Sequence, residues 1–399
     1  MRPLQRVPVP PGPAGVDALI EPLTRALDGT GPAIAPIPVT SVTVSDAYVQ
    51  RLLEAMRPDD PAHPLESDDI AVVLATSGST GAPRGVLHTA GSLTALTTAV
   101  NGPGRPQWIA ALPLSSMGGF NVLIRSLAAE RTPIALPSLG GLGPFTAADF
   151  TIAVDAAARV TDDVRVSLVA AQVRRLLDDE ASIDALRRCR EVLVGAGPTP
   201  ITMRTAAREL GIALTSTYGA TETAGGCVYD GRPLPGVSLR IEDSVVVDGP
   251  MLARGYRLEP ELTAERFTER GFRTMDLGTL VDGVLTIHGR SDDVVIVNGV
   301  NVSLGAIERA IADSPEVAEV VALAIPGDEP TVIAVVAPRA DGVIETSTSM
   351  ATTVEQALGR AAVPRRVAIV PAIPHLPNGK PDRARILNDV LDGGLTWLP

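Results

Sequence analysis

Between Ile70 and about residue 220 the chain repeats one pattern: a short apolar run, a loop of small or polar residues, then a stretch with helical spacing. IAVVLA (70–75) runs into a Ser/Thr/Gly cluster, 91–100 has helical character, WIAALPL (108–114) is strand-like and 121–129 helical. TPIALP, VRVSLVA, EVLVGAG and IALTSTYG continue the strands, with helical stretches such as 172–178 and 201–210 among them. Short apolar runs bounded by turn residues read as buried strands. Their alternation with helices predicts an α/β fold whose mostly parallel sheets are covered by helices. Ligands of such sheets sit at the carboxyl ends of the strands, so the loops there are where chemistry is expected.

The flanks differ. The first 65 or so residues are Pro-rich and weakly periodic, with helices expected over 17–26 and 45–56. After about 230, SLRIEDSVVVDG and GVLTIHGR predict a small antiparallel β-rich subdomain (about 230–290). Beyond Arg290 the pattern is compact α+β: a hairpin in VVIVNGVNV, a helix over 304–312, strands at 319–325 and 331–337, a helix near 352–361 and a last strand in RVAIV. A boundary near Asp292 divides the chain into a large N-terminal domain, 1–291, and a small C-terminal α+β domain, 292–399.

Composition narrows the function. A chain of 399 residues, 45% hydrophobic, has material for two or three domains. A net charge of −12 excludes bulk nucleic-acid binding. No run of about 18 apolar residues predicts a membrane span, and the first residues lack the apolar core of a signal peptide, so a cytoplasmic protein is expected. Cys189, Cys227 and four scattered histidines form neither a disulfide framework nor a zinc pattern. Among 34 basic residues there is one lysine, Lys380. Either it survived a base-composition bias by accident, or it occupies a position where arginine cannot serve.

The loop after the first apolar run is Thr76-Ser77-Gly78-Ser79-Thr80-Gly81-Ala82-Pro83-Arg84-Gly85. Its glycines let the backbone turn sharply against a ligand, its hydroxyls and amides can donate to phosphate oxygens, and Arg84 adds a forked cation. No Gly-Lys-Ser/Thr ending makes it a Walker loop. Composition alone divides evenly between a phosphate cradle and an ordinary loop.

TSGSTGAPRGV resembles the signature loop of the adenylate-forming enzymes, which include acyl- and aryl-CoA synthetases, luciferases and peptide-synthetase adenylation domains. Further motifs match in the same order: Gly195-Ala196-Gly197-Pro198, Tyr218-Gly219-Ala220-Thr221-Glu222, Gly249-Pro250 through Gly255-Tyr256, Asp276-Leu277-Gly278, Gly289-Arg290-Ser291-Asp292-Asp293 and Pro377-Asn378-Gly379-Lys380. Within that superfamily, Gly225-Gly226-Cys227-Val228-Tyr229-Asp230-Gly231 and Ser167-Leu168-Val169-Ala170-Ala171-Gln172 are similar to the o-succinylbenzoate–CoA ligases of menaquinone biosynthesis.

The resemblance implies a two-step reaction: a small-molecule carboxylic acid attacks the α-phosphate of MgATP, and coenzyme A then takes the acyl group from the adenylate. It implies that Thr76, Ser77, Gly78, Ser79, Thr80, Gly81 and Arg84 hold the β- and γ-phosphates, with Arg84 where the family usually has lysine. Thr221 would touch the α-phosphate or the acyl group, and Glu222 would hold Mg²⁺. Gly195, Gly197, Pro198, Tyr218 and Gly219 would lie along the adenine, and Asp276 and Arg290 on the ribose. Asp292 would be the hinge and Lys380 the catalytic cation of the first step. The alternatives are a surface carboxylate at Glu222, a surface pair at Asp276 and Arg290, and a plain strand-to-helix turn at Gly195 and Gly197.

One departure bears on the substrate. Ser115 and Ser116 stand where the family usually has an aromatic or polar residue followed by His, and no acid is nearby to hold an amino group. Both serines are candidate substrate contacts. Arg125, on the following helix, is the candidate for a second carboxylate on the acid; a solvated helix face is the equal alternative. The rival functions are a ligase for another acyl or aryl acid, a stand-alone adenylation enzyme loading a carrier protein, and a non-catalytic nucleotide-binding relative. Intact Lys380, Glu222 and Asp276 count against the last. A homodimer is compatible with the resemblance.

Overall fold

The computed structural model describes every residue except 1, 42, 77–82, 298, 315, 328–329, 340–343, 345 and 377–379. Two sheets form the body. In the first, Leu4–Val9, Ala33–Pro38 and Ile70–Ala75 are parallel, then Gly85–Thr89 and Gly255–Tyr256 add antiparallel. In the second, Ile134–Ala135, Gln107–Ala110, Val164–Val169, Glu191–Gly195 and Leu214–Ala220 are parallel, and Gly225–Tyr229 and Arg232–Pro233 return antiparallel.

The helix Met117–Ala128 lies in the core between these sheets, with Phe120, Val122, Leu123 and Ile124 joining Val72, Leu74 and Trp108 in one cluster. Helices Ala147–Ala158, Ala170–Leu177, Glu180–Arg188 and Ile201–Glu209 cover the other face of the second sheet around Phe150, Val166 and Val192. The alternation therefore holds, and ligands of such sheets sit at the carboxyl ends of the strands.

Two expectations need correction. The Pro-rich start, where only helices were expected, also contains the strands Leu4–Val9 and Ala33–Pro38. Val7, Val9, Ile34 and Ile37 are buried there, and this burial outweighs the weak propensity of Pro8, Pro36 and Pro38. The helix expected over 91–100 is two short ones, Ala90–Thr94 and Thr97–Asn101. Thr89 caps the first, its hydroxyl accepting from the Ser92 amide.

After Arg232–Pro233 come the antiparallel sheet Ser238–Ile241, Val245–Asp248, Gly271–Arg273 and Phe267–Thr268, and the hairpin Asp276–Val281/Val284–Arg290. The hairpin Val294–Val297/Val300–Ser303 leads to the helix Leu304–Ala312, at the expected place, with Ser303 as its cap. A last sheet, Val317–Ile325, Thr331–Pro338, Arg366–Ile369 and Thr396–Trp397, carries helices Leu304–Ala312 and Thr348–Leu358 on one face and Arg383–Leu391 on the other. The helix Arg383–Leu391 was not expected, and Thr348–Leu358 begins four residues before the expected 352–361. No helix among the described residues is long and apolar enough to cross a membrane.

Candidate active site

The strand Leu214–Ala220 ends in a corner that Thr223, 1% exposed, holds together. Its hydroxyl accepts from the Ala220 amide at 2.8 Å and bonds the Gly225 carbonyl at 2.8 Å. The chain then reverses through Ala224 and Gly225, both at positive φ (49° and 90°), into Gly225–Tyr229. A Cβ on Gly219 would collide with the Gly225 carbonyl, and one on Gly225 with Asn121 Nδ2. Asn121 donates to the Ala224 carbonyl at 2.7 Å. Thr221 and Glu222 thus project from a rigid turn at the carboxyl edge of the sheet.

Glu222 Oε1 accepts from the Tyr256 hydroxyl at 2.9 Å, and its carbonyl accepts from the Ala253 amide. Burial, then Glu222, raises the Tyr256 pKa. Tyr256 is a partner the motif reading overlooked, although it closes the Gly249–Tyr256 segment. Among the described residues no group of three or more His, Cys, Asp or Glu gathers for a metal. A single carboxylate such as Glu222 does fit Mg²⁺, which takes few protein ligands and completes its shell with phosphate and water oxygens.

Asp276 and Arg290 face each other across their hairpin. The Tyr218 hydroxyl donates to Asp276 Oδ2 at 2.7 Å, and Arg290 Nη1 lies 3.5 Å from Oδ1. Burial raises the Asp276 pKa against the pull of Tyr218 and Arg290. Asp276 is thus part of a half-buried network and not a surface pair. Arg290 also forks onto Asp292 through two bonds of 2.8 Å. Burial works against the arginine's charge, but Asp292 and Asp276 outweigh it and raise its pKa. Of the residues expected along the adenine, Gly195 ends a strand, and a Cβ there would press on Thr217 Oγ1 at 2.6 Å. Gly197 and Pro198 are exposed, and a Cβ on Gly197 would meet nothing.

Ser77, Gly78, Ser79, Thr80 and Gly81 lie outside the described residues, but the base of their loop is defined. The Thr76 amide donates to the Arg84 carbonyl at 2.7 Å, and the Arg84 amide to Thr76 Oγ1 at 3.1 Å. The exposed Arg84 side chain pairs with Glu259 at 3.2 Å. Such a pair is weak enough to exchange for phosphate at little cost.

Lys380 keeps an exposed surface, yet the surrounding walls and the Arg290 charge lower its pKa, while Glu222 and Asp276 raise it. The lysine from the C-terminal sheet region is therefore within electrostatic reach of the magnesium candidate and the ribose candidates together.

Arg125 overturns the solvated-face alternative: it is 7% exposed. Its guanidinium stacks 5.2 Å from the Trp108 ring centre and donates to the Tyr229 hydroxyl at 3.2 Å. With Asn121, Ser92, Leu96, Gly226 and Met251 it lines a small cavity beside the Thr221–Glu222 corner. No carboxylate among the described residues lies within ion-pair distance of it. Glu191 feels its charge but bonds Arg165, at 3.2 Å. Ser115 and Ser116 do not line this cavity. Ser116 donates to the Pro113 carbonyl at 2.7 Å, and Ser115 faces a separate apolar hollow with Val9 and Leu139.

Comparison with known proteins identifies the family. The family profile described as AMP-binding enzyme matches residues 15–257, and that of the AMP-binding enzyme C-terminal domain matches 306–380. A probable 2-succinylbenzoate–CoA ligase of Mycobacterium tuberculosis is 35% identical over 390 residues, covering 94% of this chain and 96% of that protein. An amide bond synthetase from Marinactinospora thermotolerans superposes with a TM-score of 0.74 at 25% identity, over 97% of this chain and 89% of that one. An o-succinylbenzoate coenzyme A synthetase from Bacillus subtilis, solved with AMP, shares the fold: TM-score 0.72, 20% identity, 96% and 88% covered.

Proposed function

Because the chain belongs to the AMP-binding enzyme family, we propose that it is an AMP-forming acid–CoA ligase acting on o-succinylbenzoate (2-succinylbenzoate). A carboxylate oxygen of the acid attacks the α-phosphorus of ATP and pyrophosphate leaves. The thiol of coenzyme A then attacks the acyl carbon and AMP leaves.

Both steps gather and redistribute negative charge, so preset cations and dipoles carry much of the catalysis. The loop from Thr76 to Arg84 holds the β- and γ-phosphates, and Arg84 leaves Glu259 to do so. Tyr218, Gly219, Gly195, Gly197 and Pro198 flank the adenine, and Asp276 accepts from the ribose hydroxyls beside Arg290. Thr221 donates to the α-phosphate or the acyl oxygen. Lys380 bridges the attacking carboxylate and the α-phosphate in the first step. Glu222, oriented by Tyr256, is the residue to hold Mg²⁺, which supplies charge neutralisation of the polyphosphate when bound. Residues 1–291 form the adenylation core, and 292–399 the lobe that turns about Asp292. A homodimer belongs to the same reading on resemblance alone, and sedimentation of the full chain tests it. A cytoplasmic setting is part of it too, since ATP and coenzyme A are supplied there.

The observation that carries the substrate is Arg125. A buried cation with no acidic partner is costly unless a ligand completes it. Its cavity adjoins the corner where the acyl group must sit, and a succinylbenzoate has a second carboxylate to place there. Arg125→Met should lower kcat/KM for o-succinylbenzoate on the order of 10²-fold, the scale of losing a desolvated charged contact. The same change should leave turnover of plain benzoate unaffected. A wild-type enzyme that prefers benzoate or a fatty acid tenfold, a gap of about 1.4 kcal/mol, would refute the substrate.

A further inference from the structure

Lys380 begins the second arm of a short hairpin. His375 pairs with Pro381 as an antiparallel bridge, the Leu376 amide donates to the Lys380 carbonyl at 2.8 Å, and the Asp382 amide donates to the Pro374 carbonyl at 2.8 Å. Two side chains tie this hairpin to the body of the C-terminal sheet. Arg383, just past it, bonds Glu308 at 2.5 Å and the Ala322 carbonyl at 2.7 Å. His375 Nε2 lies 2.7 Å from Glu319 Oε1 on the strand Val317–Ile325, with the two side chains 29% and 26% exposed. The arginine tether keeps its charge at every working pH. The histidine tether does not.

We propose that His375 is a positioning residue for the adenylation step: its ion pair with Glu319 braces the hairpin that presents Lys380 to the cleft. The inference rests on the reading of Lys380 as the first-step cation. Glu319 suits the role because its strand packs against the helix Ala170–Leu177 of the large body. Arg174 on that helix also feels Glu319, together with Asp178 and, repulsively, Arg339. The brace therefore acts at the seam between the two parts of the molecule. Burial lowers the pKa of His375, but its bond to Glu319 and that residue's charge prevail and raise it. The brace is complete below the ordinary histidine pKa and is released as pH rises through the elevated one.

The test measures the half-reactions separately, from about pH 5.5 to about 8.5, across the histidine range. Pyrophosphate exchange reports adenylation; thioester formation from supplied acyl-adenylate reports the second step. His375→Gln should slow adenylation about fivefold at low pH, the scale of one partly exposed ion pair. It should also remove an inflection from that pH profile and leave the thioester step unchanged. Glu319→Gln should reproduce this from the other side. His375→Arg, with a permanent charge, should restore the rate and extend it to alkaline pH. An unaltered profile in His375→Gln, no rescue by arginine, or equal loss in both steps overturns the proposal. A Lys380→Ala enzyme that still adenylates overturns the reading beneath it instead, so the two failures are distinct.

Discussion

Lys380 is where the residue scale is most informative. An ε-ammonium is a compact point charge, whereas a guanidinium is a broad plate that needs a planar partner. In a chain whose other Lys/Arg cations are all arginine, the lysine near Glu222, Asp276 and Arg290 is where the proposal that a compact ammonium is required can be tested. Lys380→Ala should reduce adenylate formation on the order of 10²–10³, as for loss of one transition-state donor. Lys380→Arg should lose much of that as well, while thioester formation from supplied adenylate stays near wild type. Normal adenylation by the arginine variant would show that the scarcity of lysine means nothing. Glu222, Asp276 and Arg290 stood out only through the motifs that resemble the adenylate-forming family; nothing in composition or periodicity singles them out. Their partners did not stand out at all: the Tyr256 hydroxyl and the stack of Trp108 on Arg125 join residues 34 and 17 positions apart, and no local period encodes such contacts.

At the scale of elements, the alternating strands and helices were readable because each buries an apolar face of fixed period. What was lost lay where tertiary burial overrode propensity. The strand Ala33–Pro38 holds two prolines, and the helix Met117–Ala128 is buried nearly all round, so a lone arginine in it gave no sign of which way it faced. The turn Ser291–Asp293 joins the hairpin carrying Asp276 and Arg290 to the one that begins at Val294. Asp292 there does two things: it sits at the turn of the backbone and it clasps Arg290. Asp292→Pro should fix φ near −65° and trap one arrangement, so that one half-reaction survives and the other collapses. Asp292→Ala removes the clasp without fixing φ, and should spare both steps more evenly. Equal losses in the proline variant would argue against a hinge.

Across the whole molecule, the buried histidine His88 couples the fold to pH. It is fully buried on the strand Gly85–Thr89, and desolvation pushes its pKa down to about 3, against a small opposing pull from the Thr221 backbone. The folded chain therefore keeps it neutral, while the unfolded chain takes up a proton below its ordinary value of 6.5. Stability contributed this way is intact above that value and is lost as pH falls toward the folded one. Between pH 7 and pH 5 the loss is about 2 kcal/mol. Urea midpoints for His88→Gln should fall less steeply over that interval than those of the wild type; parallel slopes would assign the acid sensitivity elsewhere. A different consequence follows from where the two tryptophans sit. Trp108 lies under Arg125, which lines the small cavity beside the Thr221–Glu222 corner, and the Trp397 ring centre lies 3.9 Å from the Arg366 guanidinium in the last sheet. Each tryptophan thus lies against one cation, one in the core of the large body and one in the last sheet, and serves as an intrinsic optical reporter. If Arg125 takes the acid's carboxylate as proposed, o-succinylbenzoate should change the emission of Trp108, and Trp108→Phe should abolish that change. Trp397 should continue to report the far sheet, so emission would distinguish filling of the pocket from the proposed movement of the lobe without any added dye.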